Sequence, residues 1–95
     1  MIVVANATPL IGLTRIGRLA VLKDLFGSVL VPRAVNDEVV TDAPDRPGAS
    51  EVHQADWIKV FSVIDRTKVD YRRSDLDPGE AEVLVLAEER NADIG

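Results

Sequence analysis

The chain has 95 residues, enough for one domain (residues 1–95) and not two. It contains no cysteine, which excludes disulfides and thiolate metal sites and agrees with a reducing compartment. The net charge of −5 argues against a module that holds nucleic acid through phosphate contacts alone, and it is compatible with an enzyme whose surplus carboxylates capture a cation.

The opening run Ile2-Val3-Val4-Ala5 is apolar and β-branched without alternation, as expected of a strand covered on both faces. No basic residue precedes it and Asn6 interrupts it, so it reads as neither a signal peptide nor a membrane span. Thr8 and Pro9 predict a helix start, and Leu10, Leu13 and Ile16 mark its apolar face as far as Gly17. A second amphipathic helix follows, with Leu19, Leu22, Leu25 and Phe26 expected on its buried side and Gly27 closing it.

Val29-Leu30-Val31 predicts a second buried strand, ended by Pro32, and Ala34 to Val40 a third helix. Residues 41–50 hold two prolines and Gly48 and predict a loop, after which Ser50 caps a short helix leading to Trp57. Residues 58–63 alternate apolar and polar, the pattern of a half-exposed strand near a sheet edge. Residues 64–76 are polar and of mixed charge and read as a loop. Asp77 and Pro78 open a last helix to Arg90, and Ala92-Asp93-Ile94 starts a strand that the end at Gly95 would cut short.

Strands alternating with helices imply an α/β fold with a parallel sheet, truncated at its C-terminus. In such sheets ligands bind beyond the carboxyl ends of the strands. Asn6 stands there after the first strand, where its amide oxygen can ligate a cation or simply close a turn. At 100° per residue, Glu80 falls in line with Val83, Leu84 and Ala87, while Glu82 and Glu89 fall opposite, on the side expected to carry charge. A carboxylate in a helix's first turn is also favoured by the helix dipole, which gives Glu80 a purely structural alternative. Glu38 flanks the stripe of Val35 and Val39, whereas Asp37 and Asp42 are expected to face solvent or to cap. Oxygen donors of this kind suit Mg²⁺ or Mn²⁺, which can activate water and stabilise a phosphodiester under attack.

Other chemistries lack their residues. His53 is the only histidine, so a zinc site is not expected. There is no Gly-x-Ser-x-Gly elbow, no phosphate-binding Gly-x-x-x-x-Gly-Lys-Ser/Thr loop and no Gly-x-Gly-x-x-Gly fingerprint. Arg15 and Arg18 near the first interhelical break, and Arg72-Arg73 beside Tyr71, could serve a substrate through bidentate phosphate contacts and base stacking, or could simply be solvated.

Three stretches in order resemble the PIN domains, especially the group catalogued as DUF3368: residues 3–11 (VVANATPLI), residues 31–39 (VPRAVNDEV) and residues 76–87 (LDPGEAEVLVLA). Trp57-Ile58-Lys59-Val60 is similar to the family's third strand. The resemblance implies a three-layer α/β/α fold and an RNA-cleaving, Mg²⁺- or Mn²⁺-dependent enzyme of the cytoplasm. It implies relatives that act as toxins of VapBC-type toxin–antitoxin pairs, with a cognate antitoxin protein as partner, and that form homodimers. Carried onto this chain, the family's acidic positions fall on Asn6, Glu38 and Glu80, and Thr8 matches a small hydroxyl residue near the metal. Asn6 departs from the usual Asp and lacks its charge, and the family's last acidic position follows the strand that begins at Ala92. The alternative is a degenerate, non-catalytic PIN module that binds RNA or a protein partner.

Overall fold

The computed structural model describes residues 2–46 and 48–95. Four strands, β1 (Val3–Val4), β2 (Val29–Pro32), β3 (Ile58–Phe61) and β4 (Asp93–Ile94), form one sheet in the order β3-β2-β1-β4. Every pairing is parallel, with Val4 opposite Leu30 and Ile94, and Leu30 opposite Lys59. The α/β class and the parallel sheet expected from the alternation are therefore present, and β3 lies at an edge as its half-polar pattern required.

Among the described residues, six α-helices pack with the sheet: α1 (Ala7–Arg15), α2 (Ala20–Phe26), α3 (Arg33–Asn36), α4 (Ala49–Gln54), α5 (Arg66–Arg72) and α6 (Pro78–Arg90). The core runs from Val4, Val29 and Val31 on the strands to Leu10, Val35, Val69, Val85 and Leu86 on the helices. Burying side chains of this size contributes roughly 1.5–3 kcal/mol each. Among the described residues, no helix is long and apolar enough to cross a membrane.

Several elements differ from the sequence reading, each for a local reason. Helix α1 starts earlier than expected, because Asn6, not Thr8, is its cap: Asn6 Oδ1 accepts the Ala7 N–H at 2.7 Å. Helix α2 buries Leu22 and half-buries Leu19 and Phe26, which leaves Leu25 exposed rather than packed. Helix α4 starts at Ala49, so Ser50 is inside it, and Gly48 in the left-handed region (φ 101°) turns the chain into it.

Residues 64–76, read as a loop, contain α5. Its apolar signal is a single buried side chain, Val69, so periodicity could not reveal it. The helix is held by partners distant in sequence. Asp65 accepts the Lys68 N–H at 3.2 Å, and Glu89 of α6 accepts the Asp65 N–H at 2.8 Å and the Ile64 N–H at 3.0 Å.

Helix α3 does not run on to Val40 as a regular helix. From Asp37 to Thr41 the backbone widens to a π-helical turn, seen in the Asp42 N–H donating to the Asp37 carbonyl at 2.7 Å. Such wide turns are rare and often stand at functional sites. Here the turn carries Glu38.

Candidate functional site

The carboxyl ends of β1 and β2 lead directly into Asn6 and into α3. Glu82 of α6 accepts the Ala34 N–H at 2.9 Å, which ties the N-terminal half of α6 to the first turn of α3, just beyond β2. The three stretches singled out by the sequence thus begin around one end of the sheet.

Glu38 approaches the start of α6. A Cβ placed on Gly79 would lie 3.5 Å from Glu38 Oε1 and 3.5 Å from Asp77 Oδ1. Those two carboxylate oxygens are therefore at most twice that distance apart, within the span that one hydrated cation can bridge. Gly79 itself is buried, and the absence of a side chain there leaves the gap between them open. Beside them lies a cleft of about 460 Å³ lined by Asp37, Glu38, Asp42, Arg46, Pro78 and Gly79, together with Ala34 and Ala43.

Asp37 and Asp42, expected to face solvent or to cap, line this cleft together with Glu38. A regular helix would place Asp37 and Asp42 by its own repeat, and the π-helical turn shifts that repeat within the very segment that carries them. Arg46 was not singled out because it sits in a loop without periodic pattern.

Glu80 is exposed and lies outside the apolar stripe, contrary to the expected alignment. Its N–H donates to Asp77 Oδ1 at 2.8 Å, and its own carboxylate faces the Asp77 N–H at 3.5 Å, a reciprocal capping box. Glu82, expected on the charged outer face, is 5% exposed. The reason is the width of the buried arc. Taken around α6 at 100° per residue, the buried residues Ala81, Val85, Glu82, Leu86, Gly79, Val83 and Ala87 share one wide arc, entered otherwise only at the helix ends, by Pro78 at the first position and by half-buried Glu89 and terminal Arg90 in the last turn. Glu82 stands inside that arc and Glu80 beyond its edge. A reading that assumes one narrow stripe picks the wrong glutamate. Glu82 is satisfied by the Ala34 N–H and by Arg66 Nη1 at 2.8 Å, so its burial is that of a fastener between α3 and α5.

Asn6 is half-buried, and its Oδ1 is taken by the Ala7 N–H. That bond uses one of the two lone pairs of the amide oxygen, so the other stays open to a ligand. Thr8 is exposed in the first turn of α1. Among the remaining candidates, Arg15 lines a smaller cavity next to Glu38. Arg72 is ion-paired to Glu88. Arg73 is exposed just past α5, and Tyr71 on that helix is 83% exposed. Tyr71 and Arg72 line a separate concavity with Thr67, Lys68 and Glu88 that shares no residue with the cleft at Glu38.

The donors at the cleft are carboxylate oxygens, the set that a hard divalent cation prefers. Among the described residues, no three His, Cys, Asp or Glu side chains are arranged to enclose an ion. The fit is therefore to a cation held by one or two carboxylates, with the rest of its shell left to an amide, water or substrate oxygen, as Mg²⁺ commonly is.

The fold and the cleft define an α/β protein with clustered carboxylates beyond the carboxyl ends of a parallel sheet. The chain belongs to the PIN-domain family, whose DUF3368 profile matches residues 2–94. Searches of curated proteins and of solved structures return no significant match.

Proposed function

We propose that this protein is an endoribonuclease that depends on Mg²⁺ or Mn²⁺ and acts as the toxin of a type II toxin–antitoxin pair. Membership of the PIN-domain family supports a nuclease-type module. The observation that carries the reading is the approach of Glu38 and Asp77 across Gly79 at the mouth of the acid-lined cleft.

Glu38 and Glu80 would hold the metal, with the Asn6 amide oxygen and the Thr8 hydroxyl completing the set on the β1 side. Asp77, the N-cap of α6, lies across Gly79 from Glu38 and is the alternative to Glu80 as the second carboxylate. When bound, the metal supplies Lewis acidity, lowering the pKa of water and stabilising charge on the phosphodiester. The chain's own part is placement. Val35 and Val39, both buried, fix the π-helical turn against the core so that Glu38 is presented outward. Reciprocal capping holds Asp77 and Glu80 against the first turn of α6, where the helix dipole favours negative charge.

A cognate antitoxin protein and a second copy of the chain are the partners of this reading, in the cytoplasm. The exposed apolar side chains of Ile16 and Leu25 offer surface for such association. The test is cleavage of RNA with Mg²⁺ or Mn²⁺, comparing the unmodified protein with Glu38→Gln and Glu80→Gln. Metal-dependent cleavage lost in both variants is the expected result, and equal cleavage by all three proteins would refute the reading.

A second reading, a non-catalytic PIN module that binds RNA or a protein partner, is favoured by Asn6. Its amide brings no formal charge, and its oxygen already serves the Ala7 N–H. It predicts no heat on titration with Mn²⁺, while RNA or partner binding survives.

A further inference from the structure

Glu38 stands between two cavities. The larger is the acid-lined cleft, and the smaller, about 100 Å³, is lined by Ile11, Arg15, Glu38, Val39, Ala43 and Arg46. That volume equals the room of about three water molecules, which is the scale of one phosphate group. Its polar lining residues are two arginines and one glutamate.

The arginines of this chain are not equivalent. Arg66 is bonded to Glu82 and Arg72 to Glu88, so their charge is spent within the fold. Arg90 lies over the Phe61 ring at 4.1 Å from its centroid. Arg15 and Arg46 form no ion pair with a described residue, although Glu38 lines the same cavity. Arg15 comes from the last turn of α1 and Arg46 from the segment before α4. Both are exposed. In a protein of net charge −5, two uncompensated guanidiniums beside the proposed metal-holding glutamate are an attraction for an anion.

We infer that Arg15 and Arg46 form a phosphate-binding subsite that holds the RNA backbone on the α1 side of Glu38. This inference rests on the ribonuclease reading for its substrate. Its chemistry is that of a phosphodiester of single-stranded RNA, gripped through charge-assisted, bidentate contacts. The subsite answers the difficulty posed by the overall charge: the carboxylates of the cleft repel RNA, and Arg46 at the cleft and Arg15 at the adjoining cavity supply local positive charge beside them. Arg72 on α5 borders a different concavity and Arg73, just past α5, borders neither cavity at Glu38, so both are excluded from this role.

The experiment measures binding separately from cleavage. A short fluorescein-labelled oligouridylate is titrated with the protein in Ca²⁺, by anisotropy, over a series of salt concentrations. The variants are Arg15→Ala, Arg46→Ala, the double variant and the control Arg73→Ala, with circular dichroism to verify folding. Each single variant at the subsite is expected to weaken binding by about tenfold and to lower the salt slope by about 0.7. The control keeps the unmodified affinity and slope. Unchanged affinity and slope in the double variant, an equal loss in Arg73→Ala, or no binding by the unmodified protein would each overturn the inference. Absence of metal-dependent cleavage by the unmodified protein, with the expected pattern of binding, would instead overturn the ribonuclease reading and leave the subsite standing.

Discussion

The two halves of α6 use the same side chain for opposite ends. Beyond the first turn, Glu82, Glu88 and Glu89 are each committed: to the Ala34 N–H and Arg66, to Arg72, and to the Ile64 and Asp65 N–H groups. They fasten α3 and α5 to the longest helix. At its start, Asp77 and Glu80 cap the helix and form no ion pair with a described residue, and Glu38 of the neighbouring wide turn approaches Asp77 across Gly79. Along the rear of α6 each carboxylate is bonded within the fold, two of them to arginines, and at its front negative charge accumulates. The comparison teaches that a buried carboxylate is no better a candidate for catalysis than an exposed one. What matters is whether the fold has already supplied its counter-charge.

The sharpest way to break the comparison is Glu82→Ala. It removes the acceptor for the Ala34 N–H and the partner of Arg66 from a buried position, and it should cost about 2–4 kcal/mol. For a domain of this length that is a fall of about 10–20 °C in Tm, measurable by thermal denaturation. Glu82→Gln keeps an acceptor for the Ala34 N–H and should recover part of the loss.

Glu38→Gln should do the reverse. Its stability is expected within about 0.5 kcal/mol of the unmodified protein, since Glu38 is exposed. RNA cleavage should drop by roughly 100-fold, equivalent to about 2.7 kcal/mol in the barrier, with Mn²⁺ binding weakened in calorimetry. If Glu38→Gln unfolded the protein and Glu82→Ala silenced only activity, the division of α6 proposed above would be inverted.

Gly79→Ala sharpens the picture further. The added methyl meets Glu38, Asp77 and Val35 at ordinary contact distance, so it fits without clash. Replacing Gly by Ala early in a helix should leave stability unchanged or raise it by up to about 1 kcal/mol. Yet the methyl occupies the space between the two carboxylates, so cleavage and Mn²⁺ affinity should fall. Higher Tm with lower activity is the expected signature. The smallest effect belongs to Glu88→Ala, which breaks a partly exposed ion pair with Arg72 and should cost less than about 1 kcal/mol, with no change in cleavage.

The strands and most helices could be read because their signals are local. Val3-Val4 and Val29-Leu30-Val31 are short apolar runs, and Asp77-Pro78 with Glu80 is a helix start written in three residues. Helix α5 could not be read, because one buried valine is too little pattern and its caps include a glutamate 24 residues away. The site was legible in its parts. Glu38 could be named from position, whereas Asp37, Asp42 and Arg46 join the cleft only through the π-helical turn and the packing of α6 on α3, and Asn6, Asp77 and Glu80 stand outside its lining. Glu82 was assigned to the wrong side of its helix because the periodic argument presumes one neighbour, and α6 has several.

Sequence by itself determined the α/β alternation, the parallel sheet, the family and the supply of hard oxygen donors, since each follows from residue type and short-range order. Only the tertiary structure decided which carboxylates are neutralised and which are left to bind something. That choice depends on partners far apart in the chain, such as Ala34 and Arg66 for Glu82, and long-range proximity leaves no mark on local pattern.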